Sequence, residues 1–188
     1  MTPAVLLLAL VTAERLGELA LARHNTKALR ANGAFEVASW HYPLIVIVHA
    51  LWLAGLWVFG WANPINLTWL VIFLALQGLR GWVLATLGGR WTTRIIILPG
   101  ASLVTTGPYR LLSHPNYLVV IGEIAALPLC LGLPWFALIF TVANMAILTI
   151  RIRAENAALA GFRHGNNRRA DETLDLGDGV NELAGSPE

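Results

Sequence analysis

The chain is short of the residues that build most soluble enzyme sites. One cysteine, Cys130, stands among 188 residues, so no disulfide within the chain can form and no CxxC motif exists. The five histidines, His24, His41, His49, His114 and His164, show no HExxH or similar ligand spacing, and no metal site is expected. No G-x-G-x-x-G run occurs, which removes the soluble nucleotide-binding fold as a way of holding a cofactor. Charge is scarce: Asp, Glu, Lys and Arg make up 13% of the chain against 56% hydrophobic residues, with a net charge of +2. The mean hydropathy of +0.62 is too high for an ordinary soluble domain. No internal repeats, second domain or nucleic-acid partner are expected.

What the chain has in abundance is long apolar runs. A helix needs about 17 to 25 predominantly apolar residues to span a bilayer, and five stretches qualify: 3–22, 43–62, 66–87, 117–133 and 134–151. The last two are joined by Leu133-Pro134, which allows only a tight helical hairpin. The expected fold is an all-α integral membrane protein of about five transmembrane helices, with a re-entrant or interfacial polar loop before the fourth. Residues 1–160 are expected to form a single transmembrane domain whose cofactor half is about 88–160. Residues 161–188 form a polar tail, acidic from Asp171 onward and expected to be mobile. The first segment lacks a basic n-region and contains Glu14, Arg15 and Glu18, so it is expected to stay in the mature protein.

Basic residues are clustered. Eleven of the 13 fall in three segments: Arg23, Lys27 and Arg30; Arg90, Arg94 and Arg110; and Arg151, Arg153, Arg163, Arg168 and Arg169. With five spans these segments share one side, and the positive-inside rule makes that side cytoplasmic and leaves the N-terminus outside. The exceptions, Arg15 and Arg80, lie within predicted helices. Glu14, Arg15 and Glu18 occupy about a 100° arc of the first helix, which must face the protein or a cavity. Two readings stand: an internal Arg15–Glu18 pair that locks the helix to its neighbours, or a wall of the substrate site. Gln77 and Arg80 share a face near the inner end of the third segment, bordering the expected cofactor pocket. His49 reads as a core histidine, and Trp52, Trp57, Trp61 and Trp69 as packing residues or bilayer anchors. The connection 23–42 is basic and amphipathic, with Gly33 as a break, and suits an anionic headgroup surface. Ile95–Ile97 is too short to span and reads as a re-entrant or interfacial element.

Chemistry is expected at 101–123, ASLVTTGPYRLLSHPNYLVVIGE. Gly107-Pro108 and His114-Pro115 stiffen and bend this loop, because each Pro fixes its own φ and restricts the residue before it. Between and around them stand Thr105, Thr106, Tyr109, Arg110, Ser113, His114, Asn116 and Tyr117. Such a polar loop beside an apolar run can line a pocket open to both water and lipid.

LVTTGPYRLLSHPNY at 103–117, followed by Glu123 and by RIRAENAAL at 151–159, resembles the isoprenylcysteine carboxyl methyltransferase family. The family's usual form is LVT-x-G-x-Y-x-x-x-R-H-P-x-Y with a later R-x-x-x-E. Ser113 stands where the family usually has Arg, and Asn156 where it often has a second acid. The resemblance implies a membrane O-methyltransferase using S-adenosylmethionine and a lipophilic or prenylated acceptor that enters from the bilayer. It assigns Ala101, Ser102, Leu103 and Val104 to a strip contacting the cofactor largely through backbone groups. It assigns Tyr109, His114, Pro115, Asn116 and Tyr117 to the cofactor pocket, Glu155 to the cofactor-binding carboxylate and Arg151 to acceptor binding. Catalysis would rest on Arg151 and Glu155. The segment 23–43 also resembles bacterial members that methylate alkylpyrone and alkylresorcinol lipids, so a prenylcysteine carboxylate and a polyketide lipid hydroxyl both stand as acceptors. An NADPH-dependent membrane reductase of the sterol reductase kind and a non-enzymatic membrane scaffold are the rival readings.

The clustered basic residues generate a topology test. Single cysteines at Asn32 and Asn166, in a Cys130→Ala background, are expected to resist an impermeant thiol reagent in intact cells. Ready labelling of either would place that segment outside and overturn the orientation.

Overall fold

The computed structural model describes residues 2–155; residues 156–160 and the acidic tail at 161–188 lie outside the described residues. Five helices carry the fold: α1 (Pro3–Ala31), α2 (Tyr42–Phe59), α3 (Leu67–Leu87), α4 (Pro115–Cys130) and α5 (Pro134–Glu155). A two-stranded antiparallel ladder pairs β1 (Phe35–Glu36) with β2 (Ile96–Ile97), in the register Phe35 to Ile97 and Glu36 to Ile96. Short 3-10 turns at Ser39–His41, Gly88–Arg90 and Gly107–Arg110 complete the connections.

Helix α1 is capped by Thr2, whose hydroxyl accepts from the Val5 N–H, and has Pro3 in its first turn, where the missing N–H costs nothing. It runs to Ala31, nine residues beyond the expected end at Ala22. The reason is local: Arg23, Lys27, Ala28 and Arg30 are good helix formers, and nothing before Gly33 breaks the chain. Charge marks where a helix leaves an apolar medium, not where its hydrogen bonds stop.

Among the described residues α2, α3 and α5 are long and apolar enough to cross a membrane. Their outward residues include exposed Leu51, Val71 and Ile139, the inverse of a water-soluble surface. Helix α4 is apolar but has 16 residues, about 24 Å of helix against a hydrocarbon core of about 30 Å. It is also the most enclosed, burying Val119, Glu123, Ile124, Ala126 and Leu127. α3 lies tightly against it: a Cβ at Gly122 would come within 2.8 Å of Leu76 Cδ1. Ala4, Leu8 and Val11 of α1, Trp52 and Leu56 of α2, Phe73 of α3 and Ile124 and Leu127 of α4 form the main core.

Tryptophans and asparagines fasten the helices. Trp52 Nε1 donates to the Ile124 carbonyl at 3.2 Å and Trp57 Nε1 to Thr12 Oγ1 at 3.0 Å, whereas Trp61 is exposed. At one end Asn63 Nδ2 donates to the Leu131 carbonyl at 2.8 Å, and the Asn66 N–H to the Cys130 carbonyl at 2.8 Å. At the other end Asn25 Nδ2 donates to the Trp91 carbonyl at 2.8 Å, tying α1 to the chain that follows α3.

The charges within the bundle form one network. Arg80 of α3 donates to both carboxylate oxygens of Glu123 on α4, from Nε to Oε1 at 2.8 Å and from Nη2 to Oε2. Its Nη1 reaches Glu18 Oε1 of α1 at 2.9 Å. Arg15 joins Glu18 at 2.8 Å and Glu123 at 2.9 Å, while Gln77 donates to Glu14. The Arg15–Glu18 pair is therefore the internal lock, extended to two further helices. Arg80 and Gln77 belong to this network and do not border the cavity described below, because Arg80 is drawn inward by two carboxylates.

Removing one member would leave an uncompensated charge in a low-dielectric interior. Glu123→Ala is expected to destabilise the fold by about 3–5 kcal/mol, read as unfolding in detergent micelles. Lys27→Ala, on the exposed end of α1, is expected to change it by less than about 0.5 kcal/mol. A Glu123→Ala protein as stable as wild type would show that the network is dispensable.

Candidate active site

The site is built where the chain leaves α3. After the turn at Gly88–Arg90, Trp91 is buried against Ala22 and Val83, and Asn25 holds its carbonyl. Residues 92–97 then run alongside the α1–α2 connection, where β2 pairs with β1 and the Val37 N–H donates to the Ile95 carbonyl at 3.0 Å. The isoleucine run expected to be re-entrant or interfacial thus forms part of a small ladder. The loop passes Ala101–Thr105 and turns at Gly107, whose φ of 56° disfavours a side chain. A Cβ there would also lie 2.4 Å from Thr86 Oγ1. His114 then precedes Pro115, the first residue of α4.

A cavity of about 620 Å3 opens here, between residues 87–117 and the end of α5. Ala101, Ser102, Leu103 and Val104 line one edge; Tyr109, His114, Asn116 and Tyr117 line another; Arg151 and Glu155 enter from α5. Among the residues singled out in the sequence, Pro115 does not line it, being buried beneath the start of α4 where its ring shapes the first turn. Thr106 and Arg110 also stand outside the lining.

The polar groups are mutually oriented. The Tyr117 hydroxyl donates to Glu155 and accepts from Arg151 Nε at 3.1 Å, while Arg151 Nη1 donates to the Thr93 carbonyl at 2.8 Å. His114 stacks on Tyr117 with ring centroids 5.1 Å apart. Arg90 Nη1 fixes the rim by donating to the Ser102 carbonyl at 2.8 Å. Burial, and then the nearby Glu155 charge, push the Tyr109 hydroxyl up to about 12. Tyr109 is therefore a neutral hydrogen-bonding group near pH 7 and not a tyrosinate base.

The lining includes residues that sequence reasoning had not assigned to a site: Trp91, Arg90, Arg94 and Thr92, with Ser113 where a family arginine was expected. Their signal was the run RWTTRIII, basic and then apolar, too short to span and placed just before the motif. Two lining residues carry buried polar atoms without partners, Trp91 Nε1 and Asn116 Oδ1. A buried donor and acceptor left unpaired cost free energy that a polar ligand can recover. S-adenosylmethionine fits this set in kind: it offers donors and acceptors to such atoms, an amino group to a carboxylate and a carboxylate to guanidinium groups. The cavity also lies within the range of about 300–1,000 Å3 usual for small-molecule sites. Among the described residues no group of three or more His, Cys, Asp or Glu is placed to hold a metal.

The model of the isoprenylcysteine carboxyl methyltransferase family matches residues 69–161, which contain most of α3, the loop, α4 and the Arg151–Glu155 turn. An uncharacterized protein of Bacillus subtilis (strain 168), YpbQ, is 38% identical over 162 residues, covering 84% of this chain and 96% of the relative. An uncharacterized protein of Haemophilus influenzae (strain Rd) is 28% identical over 161 residues, 81% of this chain and 92% of the relative. No solved structure gives a significant match. From its helices, its motif loop and this match, the chain belongs to the isoprenylcysteine carboxyl methyltransferase family.

Proposed function

We propose that the protein is an S-adenosylmethionine-dependent O-methyltransferase of the membrane, acting on a lipophilic acceptor. The observation that carries this is the convergence of the motif residues. Tyr109, His114, Asn116 and Tyr117 from the loop and Arg151 and Glu155 from α5, nearly 40 residues away, line one cavity at the end of an apolar bundle. Family members use S-adenosylmethionine as methyl donor. In the proposed arrangement all five helices serve the membrane domain, the cavity end faces the cytoplasm, and the acceptor arrives sideways from the bilayer.

When bound, S-adenosylmethionine supplies a methyl carbon on a sulfonium that departs as a neutral thioether. Glu155 would hold a cationic or hydroxyl part of the cofactor, with Tyr117 keeping the carboxylate turned inward. His114, Asn116, Tyr109 and the backbone of Ala101–Val104 would complete that wall. Arg151 would hold an acceptor oxygen by charge-assisted hydrogen bonds. No covalent nucleophile is needed, so the residues act by orienting the acceptor and excluding water. A carboxylate acceptor, which the match at Arg151 and Glu155 favours, is already ionised at neutral pH.

Two expectations test this reading. His114→Ala and Glu155→Ala are each expected to weaken S-adenosylmethionine binding by roughly 1.5–3 kcal/mol, on the order of ten- to hundredfold. Calorimetric titration in detergent measures it, with the unfolding midpoint unchanged as control. Unaltered affinity in both variants, or binding of NADPH in place of S-adenosylmethionine, would remove the methyltransferase assignment of these residues.

Arg151→Ala is expected to act mainly on the acceptor KM while the affinity for S-adenosylmethionine holds. With a carboxylate acceptor, kcat should stay nearly flat from about pH 6 to 8, since the acceptor is ionised throughout. The measurement is kcat and KM against pH, with a prenylcysteine analogue and an alkylpyrone offered in parallel. Methylation of the alkylpyrone alone, with a rate rising with pH, would replace the carboxylate by a polyketide hydroxyl.

A further inference from the structure

The connection between α1 and α2 lies outside the family motif, yet it holds one wall of the cavity. Glu36 pairs with Arg94 at 2.7 Å and also with Arg30. The Arg94 guanidinium lies over the Tyr42 ring, 4.2 Å from its centroid. The Tyr42 hydroxyl and Thr93 Oγ1 are 3.2 Å apart, and the Thr93 carbonyl accepts from Arg151 Nη1 at 2.8 Å. Contacts therefore run from the first residue of α2, through one residue, to the guanidinium of Arg151.

This route matters because, apart from Tyr117, it supplies the contact that orients Arg151. Among the described residues no carboxylate lies within ion-pair distance of it, and its other contact is with Tyr117, through the hydroxyl and, at 5.7 Å, the face of the ring. Thr93 itself sits in a bend between the turn at Gly88–Arg90 and the β ladder, where no regular backbone pairing sets the direction of its carbonyl. A long guanidinium side chain has many rotamers, and an acceptor loses affinity if it must select one of them. A carbonyl held in place removes part of that cost before the acceptor arrives.

We propose that Tyr42 is a positioning residue for Arg151, acting through Thr93, so that the amino-terminal connection tunes acceptor binding from outside the motif. This rests on the reading of Arg151 as the acceptor's partner. Tyr42→Phe is the appropriate probe, because it keeps the ring beneath Arg94 and removes only the hydroxyl.

Acceptor Kd is measured by calorimetry in detergent without methyl donor, using N-acetyl-farnesylcysteine and an alkylpyrone as separate probes. The proteins are wild type, Tyr42→Phe, Thr93→Val, Arg151→Ala and the Tyr42→Phe/Arg151→Ala pair. Tyr42→Phe and Thr93→Val are expected to weaken binding of the accepted probe by about two- to tenfold. S-adenosylmethionine affinity and the unfolding midpoint should stay unchanged. The Tyr42→Phe penalty should vanish once Arg151 is alanine, a coupling that a purely structural role would not produce. Wild-type affinity in Tyr42→Phe, or an equal penalty in both backgrounds, would overturn the positioning role while leaving Arg151 as the acceptor's partner. An Arg151→Ala protein that binds the probe normally, or a wild type that binds neither probe, would overturn both.

Discussion

The buried pairing of Arg80 with Glu123 is the constraint on which the rest of the molecule depends. A guanidinium and a carboxylate inside an apolar bundle are each costly alone, and the pair becomes tolerable only when its remaining polar atoms are also satisfied. Glu18 and Arg15 meet that need from α1, so one network fixes the mutual rotation of α1, α3 and α4. Such a network contributes less to net stability than to uniqueness: sliding or rotating any of the three helices would strand a charge. Apolar packing in a bilayer gives no comparable penalty, because lipid tails and leucine side chains are nearly equivalent surroundings.

With α4 held in this way, its first turn becomes a defined platform. Pro115 starts the helix, and two residues later, within the first turn, Tyr117 faces the end of α5, which the hairpin at Leu131–Leu133 brings back antiparallel. The loop before it is held by Gly107 against Thr86 and by Arg90 on the Ser102 carbonyl. The ladder and the Glu36–Arg94 pair then tie residues of that wall to the α1–α2 connection. Leu29 of α1, the chain after α3, the motif loop with the start of α4, and the end of α5 surround one cavity.

The apolar content implied a membrane bundle without any structure, because the hydrocarbon core dictates both run length and composition. The hairpins at Asn63-Pro64 and Leu133-Pro134 were equally legible, since Pro and Gly act locally on the backbone. The motif loop and the Arg151–Glu155 turn named most of the cavity's polar lining, with Pro115 serving the helix start and not the wall. The end of α1 was misplaced because hydropathy reports the medium around a helix, whereas the helix itself continues until its backbone is interrupted.

Partnership over distance was what the chain alone could not decide. Arg80 looked like a residue bordering the pocket, and only the positions of Glu18 and Glu123, 62 and 43 residues away, turned it into the centre of the helix lock. Thr92 and Arg94 carried no motif, and their place in the cavity wall depends on a ladder between β1 and β2 that neither two-residue strand announces. Local sequence sets which segments are helical, apolar or bent, because those properties depend on near neighbours. The partner of a long polar side chain is set by the helices that meet in three dimensions, and so belongs to the tertiary structure.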